Sequence, residues 1–217
     1  MKNLKFIFVL IFMGILLSGC SKTVYRSTGH SLNNGPFERE VRFQLSRLFY
    51  SDFPECVVIF PTVGKEHRGL HKSLEDALTR HLVLKVPKVL SSEERRSLEK
   101  KMAVSIGSED GRQLFAQNSG CRHAARINLM DAEDSFLGVW SQKKITIEAR
   151  LFRISDERDL WLSRHAVSRS DGSLPVSPLS VGVGLYKASA HSSDPDILMS
   201  MIDDALRRMM VTIPTIR

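Results

Sequence analysis

The stretch from Ile145 to Val167 constrains the fold more than any other part of the chain. Ile145, Ile147, Ala149 and Leu151 alternate with Thr146, Glu148 and Arg150, a period of two that fits a strand with one buried face. Residues 156–159 make a tight polar turn and residues 160–167 are largely apolar again, so the chain reverses there and pairs with itself as a hairpin. A two-stranded hairpin is marginal alone in water. It needs further strands, or helices laid on its apolar face, and the rest of the sequence offers both.

Cys56-Val57-Val58-Ile59-Phe60 is a continuous apolar run that stops at Pro61, the pattern of a central strand covered on both faces. Ala125, Ile127 and Leu129 alternate with Arg126 and Asn128 as another strand, while residues 82–90 are apolar but hold Pro87, which assigns them to a sheet edge. Helical spacing relates Phe37, Val41, Leu45, Leu48 and Phe49, with Glu38 and Glu40 in the first turn, and relates Leu70, Leu74, Ala77, Leu78 and Leu82. Ser91-Ser92-Glu93-Glu94 is a capping box for a helix that ends near Lys100 and Lys101. A shorter helix runs around residues 110–117 and ends at Asn118-Ser119-Gly120. In the last helix Asp194 is the N-cap and Pro195 the first helical residue; Ile197, Leu198, Met201, Ile202, Ala205, Leu206 and Met209 share one face. Arg207 and Arg208 close it, and Pro214 stops it. The expected fold class is α/β (α+β): a single mixed β-sheet with helices packed on it and a C-terminal amphipathic helix, over residues 37–217.

The N-terminus is of another kind. Residues 1–5 carry Lys2 and Lys5 and no acid, and Phe6 to Leu17 is an apolar run of 12 residues, short of the roughly 20 that span a bilayer as a helix. This is an export signal. It ends in Leu17-Ser18-Gly19-Cys20, which resembles a bacterial lipobox. By that resemblance residues 1–19 are a lipoprotein signal peptide, and Cys20 becomes the first residue and carries acyl chains of the palmitate kind on its sulfur and amine. At about 0.8 kcal/mol per buried methylene, several such chains hold a protein on the membrane. Ser21, rather than an aspartate, follows the cysteine, which favours the outer membrane, with the domain on its periplasmic face. Residues 20–36, with Gly29, Asn33, Asn34, Gly35 and Pro36, read as a lipidated flexible tether.

Processing also changes the charge. The formal net charge of +7 falls to +5 when Lys2 and Lys5 leave with the signal. The remaining basic residues are interleaved with acids, as at residues 80–101 and 143–169, which is the composition of solvated faces rather than of a nucleic-acid surface. No nucleic-acid partner is expected.

Taken together, the lipobox, the strand Val57-Val58-Ile59-Phe60-Pro61, Gly120 opening a later strand, and the hairpin Ala149-Arg150-Leu151-Phe152, Asp156 and Leu160-Trp161 resemble one group of proteins. It comprises periplasmic lipoproteins related to CsgG, the penicillin-binding-protein activator LpoB and the amino-terminal domain of TolB. The resemblance covers residues 55–165. Cys121-Arg122-His123 and Glu157-Arg158 depart from the group's pattern, which has an acidic and an aromatic residue at the first place and Thr-Gly at the second. It implies a sheet in which the strands begun by Cys56 and Cys121 run side by side, so that these two cysteines either form a disulfide or stand as two buried thiols. A bond between them would close a loop of about 65 residues.

Motifs for chemistry are few. His67 and His71 are four apart but belong to no HExxH pattern, and Asp131, Glu133 and Asp134 form an acidic cluster whose plainer role is solubility. The sequence has no G-x-S-x-G, P-loop or dinucleotide fingerprint. No metal, cofactor or catalytic residue is expected. Residues 171–195 hold twelve Gly, Pro or Ser among 25 yet include Leu179, Val181, Val183, Leu185 and Tyr186. Such a connection either binds a partner or folds back over its own core. The expected function is that of a non-enzymatic scaffold or assembly component of an envelope complex serving secretion, a surface appendage or cell-wall synthesis. Its partners would be the membrane, through the lipid, and envelope proteins or further copies of the chain. A regulator of a peptidoglycan synthase and an envelope hydrolase without a recognisable motif are the alternatives.

Overall fold

Val57, Val58 and Ile59 have no exposed surface, because their strand has a neighbour on each edge and helices on each face. The computed structural model describes residues 22–26, 41–64, 67–136, 140–172 and 195–215. Among these residues there are seven strands: β1 (Lys22–Arg26), β2 (Arg42–Leu45), β3 (Cys56–Ile59), β4 (Lys88–Leu90), β5 (His123–Phe136), β6 (Trp140–Arg153) and β7 (Asp159–Gly172). The helices are α1 (Leu48–Ser51), α2 (His71–Leu82), α3 (Ser92–Met102), α4 (Glu109–Ser119) and α5 (Pro195–Met210).

The strands form one mixed sheet in the order β4, β3, β5, β6, β7, with β1 and β2 sharing the outer edge of β7. β3 is parallel to β4 and β5, and every other pairing is antiparallel. Helices α2 and α5 cover one face, where Leu74, Leu78, Leu82, Met201, Leu206 and Met209 meet Val57, Ile127, Ile147 and Leu151 in a single core. A smaller core on the other face joins Val58, Phe60, Ala124 and Phe152 to Phe115 of α4, with Leu98 and Met102 of α3 packed against it.

Several local rules are visible. The Ser91 hydroxyl accepts from the Glu94 backbone N–H, and the Glu94 carboxylate accepts from the Ser91 N–H, a complete capping box. Gly120 ends α4 in the left-handed region, at φ 72°, a conformation that a side chain disfavours. Pro195 is the first residue of α5, where its missing N–H leaves no helical bond unmade. Met130 is a bulge in β5: the register with β6 shifts between Leu129 and Asp131, which turns Ala132 to the apolar face and Asp131 to the solvent.

Four expectations change. Where a helix is expected over residues 37–49, Arg42–Leu45 is instead strand β2, paired with Arg164–Trp161 of β7. Val41, Phe43 and Leu45 satisfy a period of two as well as a helical one, and the open edge of β7 offers backbone partners that decide between them. Only one helical turn survives, at α1. Lys22–Arg26, assigned by composition to the tether, is strand β1; Thr23, Val24 and Tyr25 are β-branched or aromatic, and the glycines and asparagines behind the tether reading lie beyond them. The edge strand expected over residues 82–90 is confined to Lys88–Leu90, since Leu82 closes α2. Asp171 and Gly172 extend β7 and Pro195 opens α5, which shortens the expected loop; Leu179, Val181, Val183, Leu185 and Tyr186 lie outside the described residues, as does Cys20.

Candidate functional site

At the end of the sheet where β3 and β5 begin, charge, a covalent link and a groove come together. Cys56 and Cys121 are joined by a disulfide, with their Cα atoms 4.9 Å apart. The register explains the meeting: Val57 lies opposite His123 on parallel strands, so Cys56, the first residue of β3, lies beside the residues that lead into β5. The bond therefore ties the start of β3 to the link between α4 and β5.

Beside it stands Asp52. Its carboxylate accepts from Arg153 Nη1 at 3.2 Å and lies 3.4 Å from Arg122 Nη2. His123 Nε2 is 3.2 Å from Asp52 Oδ2, but off the line of a hydrogen bond. His123 is 2 % exposed, and its burial lowers its pKa below the usual histidine value in spite of the neighbouring Asp52. Arg153 also grips Asp156 with two parallel bonds, of 3.0 and 2.7 Å. That fork, with the Arg158 backbone N–H, brings the Asp156 carboxyl down to about 2. A groove of about 780 Å³ opens here between Asp52, Arg122 and Arg153 on one side and Gln113 and Gln117 of α4 on the other.

Acid–base catalysis of nucleophilic attack needs a nucleophile, a base that touches it, and a group that orients the base. Here His123 faces Asp52, but both nearby cysteines are in the disulfide, and no serine or threonine hydroxyl among the described residues is hydrogen-bonded to the imidazole. Of the groove's charged groups, Asp52 is held by Arg122 and Arg153. A disulfide and a set of ion pairs thus stand beside a polar recess.

A second groove, of about 530 Å³, runs beside β2, lined by Arg42, Gln44, Glu148, Leu162 and Arg164. Arg164 and Glu148 form an ion pair across β6 and β7. Nearby, Arg126 lays its guanidinium 5.8 Å from the Phe60 ring and 5.7 Å from the Phe152 ring. Neither β2 nor Arg126 figured among the candidate residues of the sequence. The alternation of Val41, Phe43 and Leu45 was the signal for the first, and nothing in the sequence marks the second.

The remaining candidates are dispersed. His67 has φ 56° and precedes the 3₁₀ turn Arg68–Leu70, and only His71 is in α2, so the two do not share a helix face. Asp134 pairs with Lys143 at 2.7 Å and Glu133 with Lys144 at 3.2 Å, so the acidic cluster is answered by lysines of β6. No three His, Cys, Asp or Glu residues among those described are placed to hold a metal ion, and no described helix is long and apolar enough to cross a membrane.

No family model matches the sequence, and no curated protein matches it. Solved structures similar in chain path include the PelC dodecamer of Paraburkholderia phytofirmans, at 11 % identity over 79 % of this chain and 96 % of that one, with a TM-score of 0.39. Lipoprotein GNA1162 of Neisseria meningitidis is 16 % identical over 60 % of this chain and 92 % of its own, with a TM-score of 0.41. The C-terminal domain of LpoB from Salmonella enterica is 10 % identical over 52 % and 82 %, with a TM-score of 0.34. Bacterial lipoproteins, LpoB among them, are thus among the structures this chain is similar to, and a likeness of this degree transfers neither activity nor partner.

Proposed function

We propose that the chain is a lipoprotein of the bacterial envelope, held on the periplasmic face of the outer membrane, whose domain serves as a non-enzymatic scaffold or assembly component. The observation that carries the reading is the use of its three cysteines. Cys20 follows a lipobox-like Leu17-Ser18-Gly19, and Cys56 and Cys121 are bonded to each other, which suits an oxidising compartment outside the cytoplasm. No thiol is left for catalysis or metal binding. The engagement of Asp52 by Arg122 and Arg153 supports a binding module over a hydrolase.

The mechanism is tethering. A lipid at Cys20 confines the domain to a thin layer above the membrane and raises its effective concentration for partners fixed in the same layer. Leu179, Val181, Val183, Leu185 and Tyr186 remain the candidate partner contacts on sequence grounds. Affinity purification from membranes with the anchor intact tests the reading. The expected result is the reproducible capture of one or a few envelope proteins, weakened by Val181→Asp with Val183→Asp. Capture of a peptidoglycan synthase would specify a regulator of wall synthesis. Failure to retain any envelope protein, or wall-hydrolysing activity in the pure domain, would overturn it.

A further inference from the structure

Only Ser21 separates Cys20 from Lys22, the first residue of β1. Two residues of chain reach about 7 Å at most, so if Cys20 is lipidated, the start of β1 lies at the membrane surface. β1 is a paired strand: Lys22 lies opposite Ser170, Ser170 opposite Gln142, and Gln142 opposite Ser135. These four residues form one row across the sheet, about 14 Å wide at the usual strand spacing. Whatever fixes Lys22 near the bilayer fixes the whole row.

The geometry points to this end of the sheet, where β1 starts, β5 ends, β6 starts and β7 ends, as the surface that rests on the lipid, with the strands directed away from the membrane. The inference rests on the lipoprotein reading and adds an orientation to it. Two observations favour a lipid surface as the occupant. The first is the length of chain outside the sheet, which leaves no room for another protein between lipid and β1. The second is composition: among the described residues that close this end of the strands, Phe136, Trp140, Ser141 and Gly172 carry no charge and two are aromatic, beside a single acid, Asp171, a mixture that suits a bilayer interface. Of the charged residues next along the strands, Asp134 and Lys143 are paired with each other, and Arg169 donates to the Ser200 hydroxyl. The disulfide, Asp52 and the groove of α4 stand at the opposite end, beyond Arg153, eleven residues of β6 from Gln142 and so about 35 Å farther out.

The test uses the full lipidated protein in phosphatidylethanolamine–phosphatidylglycerol vesicles that contain a headgroup nitroxide lipid. Single cysteines replace three exposed residues, Ser135→Cys, Met130→Cys and Ser155→Cys, and carry a fluorophore, with the Cys56–Cys121 bond intact. Quenching is expected to fall in the order Ser135, Met130, Ser155, with the first position quenched several-fold more than the last. Equal quenching at Ser135 and Ser155, or the reverse order, on protein that floats with the vesicles would overturn the orientation and leave the anchor standing. Protein whose mass shows no lipid and which does not float would remove both.

Discussion

The two ends of the long antiparallel ribbon β5–β6–β7 are built by different means. At the turn between β6 and β7 a disulfide, the Arg153 fork on Asp156 and a packed cluster of Phe60, Phe115 and Phe152 hold the structure from within. At the other end Lys143–Asp134 and Lys144–Glu133 meet across strands at the surface. A surface pair contributes about 0–1 kcal/mol, against about 4 kcal/mol for a disulfide closing a loop of this length. One end carries its own stability and is free to present a recess; the other gains position from β1 and, in the proposed function, from lipid.

Substitutions can break that contrast, and the largest effect belongs to the disulfide. Cys56→Ser with Cys121→Ser should lower the free energy of unfolding by about 4 kcal/mol in denaturant titration. Native protein should show no thiol reactive to alkylation, and two reactive thiols would remove the contrast. Gly111→Ala comes next. A Cβ there would lie 1.8 Å from the backbone oxygen of Ser105, which no rotamer change relieves, and a loss of about 2–3 kcal/mol is expected from the same titration.

The acid response should also localise to the turn end. Buried His123 stays neutral in the fold below 6.5, the ordinary histidine pKa at which the unfolded chain already takes up its proton. Its contribution is therefore present above pH 6.5 and is lost as pH falls toward the lowered folded value. His123→Gln should flatten that limb of a stability–pH profile. A second limb belongs to Asp156: the stability its depressed pKa supplies is present above 3.8 and is lost as pH falls through about 2. Asp156→Asn should abolish it. The smallest effect is expected at the other end, where Lys144→Ala should cost less than 1 kcal/mol; a loss as large as that of the cysteine pair would show that this end is not the weaker one.

Much of the central sheet and its helices could be read from sequence. Continuous burial at Val57–Ile59, the alternation of Ile145 to Leu151 and the capping box at Ser91 each express a local rule that the tertiary structure obeys. Other parts were harder because their determinants are non-local. Arg42–Leu45 and Lys22–Arg26 are strands because β7 has an edge to offer, and an edge is not written in the residues that fill it. The bulge at Met130 shows only as a break in alternation, from Leu129 to Ala132. Asp52, which meets Arg122, His123 and Arg153 from a loop far away in sequence, carries no motif at all.

In the proposed function a lipid at Cys20 fixes this domain to a membrane. Intact mass spectrometry of the protein extracted from its native membranes, before and after removal of ester-linked acyl chains, tests that claim most directly. The expected species is a chain that begins at Cys20, heavier than its residues by several acyl groups, with the Cys56–Cys121 bond in place. A chain cleaved elsewhere, or one that begins at Cys20 without added mass, would contradict it.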